Sequence, residues 1–555
     1  MRRLTLLALL VLPAVAHAQG TCRLGTAQRT IVPNLVSADV FNTGALFFGN
    51  QTTNGDGYSV PRASGRSPIF AASLWLAGTV GGEIRASGAR YYNFTFWPGP
   101  LGDGAAPTPD CARYDRIYRV SRQDVVDYYR TGIATDDLRD WPAALGAPVI
   151  DGDGDPATYT LAGGDQPALR GDDVAWWLMN DASGRRPDGL PKPLGVEVRV
   201  EAYGLARAPL DATSFYRYTV TNRTAVTIDS VYAGLFVDPD LGNATDDYTG
   251  TDTTGAMAYV YNGDNDDDGA YGYDTYGYGV APPAVGFQVV NGPVGLPNGR
   301  DDDRDGVADE PGERLGLTAS TTFPPSCAAC TINLDGARQY SLLMKGRWAD
   351  GTEQREYGYG YGYSASEGAV TRFMYAGDPV AGRAWSEVNN ATPSPVNRPG
   401  DRRFVVATGP FRLAPGASET VTFAIPYARG TSNLDSVTRL RNLARGLRRA
   451  FADPEPVPVP RSPRGTTLSG PVRLSRPSPN PFTARAAVRY EMDAGTTVRA
   501  TLLDVLGREV ALLFDGPAAA TGEFTIDGTG LAPGVYRVRV VVPAGEQILT
   551  LVRGR

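Results

Sequence analysis

Apolar and polar residues alternate along Val196-Glu197-Val198-Arg199-Val200, and less strictly along 215–221 and 420–425. Period two with one polar side predicts antiparallel strands that rest one face on a core and turn the other to solvent. The strands are expected to be short, because 66 glycines and 43 prolines divide the 555 residues into segments bounded by turns. One stretch changes period. In SNLDSVTRLRNLARGLRRAFAD, Val437, Leu440, Leu443, Ala444, Leu447 and Phe451 recur at helical spacing, with arginines on the opposite side. This predicts an amphipathic helix docked by its apolar stripe, with a membrane-surface helix as the alternative. Alternate prolines from Pro454 to Pro460 then favour an extended linker and forbid a central strand.

The expected fold is mainly β: several antiparallel sandwich-like domains, one helix before a Pro-rich linker, and a small C-terminal Ig-like sandwich. Expected boundaries are 19–195 for an N-terminal β domain, 196–452 for a central β domain with acidic loops and a closing helix, 453–470 for the linker and 471–555 for the C-terminal domain. Two Tyr-Gly tracts, at 270–280 and 356–366, read as aromatic loops or as strands packed over the fold.

The first residues, MRRLTLLALLVLPAVAHAQG, set two arginines before an apolar run and end in Ala16-His17-Ala18. This is the pattern of a secretory signal peptide over residues 1–18, because about a dozen apolar residues fall short of the roughly 20 a membrane span needs. Its removal would take away His17, the single histidine, and with it any Ser-His-Asp or Cys-His catalysis and any histidine zinc site. The formal net charge of −7 makes nucleic acid a poor partner; calcium and neutral polymers fit better. Four cysteines in an exported chain permit disulfides, and the favoured pairs are Cys22 with Cys111 and Cys327 with Cys330. The second pair has CxxC spacing but leads into the strand-like Thr331-Ile332-Asn333-Leu334, where a redox motif would lead into a helix.

After the linker, Pro479-Asn480-Pro481-Phe482, Asp504-Val505-Leu506-Gly507-Arg508-Glu509-Val510 and Leu531-Ala532-Pro533-Gly534-Val535-Tyr536 follow in order. Together they resemble the type A C-terminal sorting domain of the type nine secretion system. The resemblance implies export across an outer membrane, recognition of the last domain by the secretion machinery, and attachment to surface lipopolysaccharide or release. It assigns these motif residues to turns, core and recognition surface, not to catalysis. The body, through segments such as SPIFAASLWLAG, QPALRGDDVAWWLMND and LFVDPDLGNATDDYTG, resembles large surface proteins that carry the same sorting domain, a likeness that brings no activity with it.

Four acidic clusters are candidate cation sites. Asp301, Asp303 and Asp305 before Gly306, and Asp264, Asp266 and Asp268 before Gly269, both match DxDxDG. Alternate carboxylates on a loop curling at the glycine can turn hard oxygens inward, as calcium requires, with the Val307 carbonyl and Asp309 completing the first set. Neither loop is an EF-hand, since Gly312 and Thr275 stand where a bidentate Glu is needed. A third cluster, Asp151-Gly152-Asp153-Gly154-Asp155-Pro156, leaves calcium and a plain turn equally open. In the fourth, Asp238, Asp240, Asn243, Asp246 and Asp247 follow a strand-like run, and so many like charges call for either a bound cation or full exposure.

Two functions follow. The favoured one is a non-enzymatic surface protein whose β domains are rigidified by structural calcium and serve adhesion, envelope structure or capture of a polysaccharide or protein ligand. The other is a secreted polysaccharide-active hydrolase, using paired carboxylates with Trp97, Trp176 and Trp177 stacked on sugars. Trp176 and Trp177 are adjacent on an expected strand and would point to opposite faces, so at least one belongs to the core.

Overall fold

The computed structural model describes residues 24–48, 57–88, 90–91, 94–108, 110–182, 190, 192–269, 277–297, 299–302, 307–323, 336–357, 368–389, 398–450, 459, 473–475, 477–504, 508–543 and 545–554. The signal peptide, Cys22, Cys327, Cys330, Asp303, Asp305, most of the linker and most of both Tyr-Gly tracts lie outside them. The chain divides into two compact units, one of Met1–Ser121 with Asp140–Val457 and one of Arg122–Arg139 with Pro458–Arg555.

In the larger unit the alternating segments become the strands Val196–Gly204, Thr213–Asn222 and Ser418–Ala428. They sit side by side in a nine-stranded antiparallel sheet that also holds Asp173–Asn180, Asp247–Asp252, Met257–Asn262 and Ala284–Asn291. A second nine-stranded sheet is centred on Ala71–Val80, Ile228–Asp238 and Arg403–Leu413. Inward side chains of the two sheets, among them Leu74, Leu76, Leu235 and Phe404 from one and Val198, Tyr216, Tyr218 and Phe423 from the other, form one continuous core.

The boundary expected at 195/196 does not exist. Ala71–Val80 hydrogen-bonds to Ile228–Asp238, and Asp173–Asn180 to Val196–Gly204, so residues from both expected domains share each sheet and one core. Among the described residues, much of the outer face of each sheet is covered as well, where the alternation suggested solvent. Over the first sheet, the helix Asn433–Ala450 packs Val437, Leu440 and Ala444 against Tyr259 and Tyr261, which covers the apolar stripe that a membrane would have needed. Its Arg441 and Arg445 pair with the buried Asp252 at 3.5 and 3.0 Å. Over the second sheet, the helix Ala337–Met344 sets Tyr340, Leu343 and Met344 among Trp75, Phe236 and Val405. Burial on both faces explains the near-continuous apolar run of Ala71–Val80. The polar residues of Val196–Gly204 are covered too: Glu197 pairs with Arg223 at 2.8 Å and Glu201 with Arg217 at 2.8 Å.

In the smaller unit, two antiparallel sheets of three and four strands enclose a core that contains Phe482, Val488, Phe524 and Val538. Arg485–Glu491 alternates buried and exposed residues in the expected manner. The Asn480 side chain accepts from Val552 N (2.7 Å) and donates to Thr550 O (3.3 Å). The Tyr536 hydroxyl donates to Ala532 O at 2.8 Å, a tie of the kind that fixes corners in β-sandwiches. Asn480 thus fastens its turn to the last strand, and Tyr536 holds the turn that precedes its own. Among the described residues, no helix is long and apolar enough to cross a membrane.

Candidate metal centre

Ile228–Asp238 and Arg403–Leu413 are antiparallel neighbours, with Val237 opposite Phe404. The end of one strand therefore lies beside the beginning of the other. This register brings Asp238 and Asp240 together with Asp401, far away in sequence, and one carboxylate oxygen from each lies within 4.8 Å of the others. Arg403 stands beside them, with Nε 3.2 Å from Asp238 Oδ1 and Nη1 3.4 Å from Asp401 Oδ2. Its Nε–H is aimed elsewhere, at the Tyr91 hydroxyl (2.6 Å), which in turn donates to Asp238 Oδ2 (2.6 Å). Asp238 Oδ1 and Asp401 Oδ1 are consequently buried and accept no hydrogen bond.

Fully ionised, three carboxylates and one guanidinium would carry two net negative charges. Burial pushes the Asp238 carboxyl up to about 6, although Arg403 opposes the shift. Burial, then the charges of Asp238 and Asp401, push Asp240 well above the ordinary carboxylate range. Arg403 stays charged because Asp238, Tyr91 and Asp401 outweigh its own burial. A divalent cation fits this arrangement. Calcium takes oxygens at about 2.3–2.6 Å, so two ligands on opposite sides of it stand about 5 Å apart.

Asp246 and Asp247 do not join this group. Asp247 is fully buried, with Oδ2 on Leu241 N (3.1 Å) and Oδ1 without a hydrogen bond. Beside them lies Asp267, which accepts from Asn243 N (3.0 Å) and Tyr278 N (2.6 Å). Gly242 makes the approach possible: its φ is +70°, and a Cβ there would collide with the Asp267 carboxylate. Asp264, Asp266 and Asp268, expected to converge on calcium, do not gather their carboxylates within 4.8 Å of one another. Asp266–Asp267 is a short strand paired with Gly279–Val280, and extended backbone turns alternate residues to opposite sides. Asp267 points inward, while Asp264, Asp266 and Asp268 are exposed.

Burial raises Asp246 to about 7 and Asp267 to about 6, against about 3.9 in an unfolded chain. Between roughly pH 4 and 7 the folded chain therefore holds protons that the unfolded chain has lost, and this contribution to stability disappears as pH rises through that window. In chelator, the melting midpoint is expected to fall from pH 5 to pH 8, with a shallower fall in Asp246→Asn. For this half-exposed residue the gain at pH 8 should be roughly 2 °C. Thermal melts across that range check it, and an equal slope in the variant would rule Asp246 out.

In the loop at 301–309, the described part is organised by a residue that sequence reasoning passed over. The buried Glu313 accepts from Asp302 N and, at 2.8 Å, from Asp309 N. Asp309 takes φ +57° and accepts from Gly299 N at 2.7 Å; Asp301 is half-buried and Val307 exposed. The third cluster gains Asp165, whose oxygens approach those of Asp151 and Asp153. Here the carboxylates already serve the backbone: Asp151 Oδ1 accepts from Gly154 N (2.7 Å), and Asp165 accepts from Gly152 N (2.9 Å) and Thr160 N (2.6 Å). Cys111 is disulfide-bonded. Trp177 lies in the inter-sheet core and Trp176 on the opposite face, 6.4 Å from the Tyr118 ring. Both are buried, so neither presents a ring to a sugar.

Fold and site define a mainly antiparallel β protein with a partly buried acidic centre at one end of a sheet. No family model matches the chain, and no curated protein matches it. Among solved structures, a polysaccharide lyase aligns with a TM-score of 0.24 at 10% identity, over 95% of this chain and 46% of that one. The chain thus spans less than half the length of that structure, and a likeness of this degree bears on neither fold nor activity.

Proposed function

We propose that this chain is a non-enzymatic cell-surface protein: a β scaffold held by structural calcium, acting in adhesion, envelope structure or ligand capture. The observation that carries the reading is the group Asp238, Asp240 and Asp401, two of whose buried oxygens accept no hydrogen bond and whose charge exceeds what Arg403 offsets. Export by the type nine secretion system, recognition of residues 471–555 by its machinery and attachment to surface lipopolysaccharide complete the proposal, supported by the three motifs.

Calorimetric titration of the full chain with calcium tests the cation. One binding event should be lost in both Asp240→Asn and Asp401→Asn. Calcium binding unchanged in both variants would remove this centre from the reading.

A further inference from the structure

The helix Ala337–Met344 ends at Lys345, one of only two lysines in the chain. Gly346 then turns the backbone with φ +69°, and a Cβ there would meet Arg372 Cα at 2.8 Å. This close approach gathers cations from separate segments around a surface cavity of about 240 Å³, lined by Lys345, Arg347 and Arg372 together with Tyr232 and Glu353. Glu353 is engaged twice, by Arg347 at 3.2 Å and by Arg355 at 3.5 Å. Lys345 has its Nζ 5.4 Å from the centre of the Tyr232 ring, and among the described residues neither it nor Arg372 has a carboxylate partner. Burial, then the neighbouring Arg347 charge, push the Lys345 ammonium below its ordinary value. In a chain of net charge −7, this is a local excess of positive charge held in a concavity, the arrangement that concentrates anions.

We propose that this cavity binds an oxyanion, carboxylate or sulfate, carried by a ligand no larger than one sugar ring. The guanidinium of Arg372 offers the planar fork that matches such a group in two parallel hydrogen bonds, and Lys345 adds a point charge. The cavity is smaller than the roughly 300–1,000 Å³ of sites for drug-sized molecules, which sets the size limit. None of its lining residues belongs to the acidic centre, so the binding test needs no cation there.

The test is calorimetric titration of the full chain, at low salt and in chelator, with D-glucuronate, inorganic sulfate and D-glucose. Saturable binding of glucuronate or sulfate is expected, weakening as salt rises, with none for glucose. Glucuronate alone would identify a uronate, sulfate alone a sulfate ester, and both the shared oxyanion chemistry. Lys345→Met and Arg372→Gln should each weaken binding about tenfold with the melting midpoint unchanged; Arg372 is exposed, so that variant is expected to fold. Failure of both anions to bind, or binding by both variants as tight as that of the parent chain, would overturn the proposal.

Discussion

With calcium saturating, the full chain should melt about 3 °C higher than in chelator. A cation bound only by the folded state at a hundred times its dissociation constant adds about 2.7 kcal/mol, and with about 2.1 cal/mol/K of unfolding entropy per residue each kcal/mol moves the midpoint of a unit as long as this one by only about 1 °C. Magnesium should give less, because it dehydrates reluctantly and demands near-ideal octahedral geometry. Asp240→Asn separates this cause from others. The variant loses the calcium increment, yet its midpoint in chelator holds or rises, since a buried charge repelled by Asp238 and Asp401 has been removed. A solvated acidic turn would show neither effect. An identical parent midpoint in calcium and in chelator is the result that sinks the centre. An increment that survives both Asp240→Asn and Asp401→Asn would move the cation elsewhere, with the loop at 301–309 next in line.

Glu387→Ala should cost about 3–5 kcal/mol, the range for breaking a buried ion pair by removing one partner. The Glu387 side chain is 1% exposed and lies 2.7 Å from Arg402 Nε. Its other oxygen accepts from Thr249 N (2.7 Å) and Thr249 Oγ1 (3.0 Å). Arg402 leads into Arg403–Leu413 of one sheet, and Thr249 lies in Asp247–Asp252 of the other, so a single carboxylate ties the two sheets together. Truncation strands a guanidinium and two donors away from water. Glu387→Gln, which keeps an acceptor for Thr249, should cost less. The double variant Glu387→Leu with Arg402→Met should recover part of the loss, because no unpaired charge remains. Denaturant unfolding reads all three, and a cost below about 1 kcal/mol for Glu387→Ala would mean that Arg402 finds another partner.

Much of the architecture was legible because its causes are local. Alternation at 196–200 marked a strand, and helical spacing from Val437 to Leu447 marked the helix Asn433–Ala450. Apolar runs between turns marked the strands of the C-terminal unit. The sequence also indicated that Trp176 and Trp177 point to opposite faces, because extended backbone dictates it. It misjudged what lay above those faces: covering helices and arginine partners bury Glu197 and Glu201 where solvent was expected.

The candidate centre was half legible. Asp238 and Asp240 stood out as carboxylates at a strand end, but nothing in their neighbourhood pointed to Asp401 or Arg403. Those residues arrive through the pairing of Val237 with Phe404, a contact between distant segments that a periodic pattern cannot encode. The same limit holds at 264–268, where the spacing of three aspartates was clear but the burial of Asp267 between them was not. By itself, then, the sequence determined which segments extend, which one coils, and where acidic groups are dense, since these depend on neighbours a few residues away. Only the tertiary structure decided which carboxylates meet, which are buried and which of them lack a donor, because strand register and sheet packing set those distances.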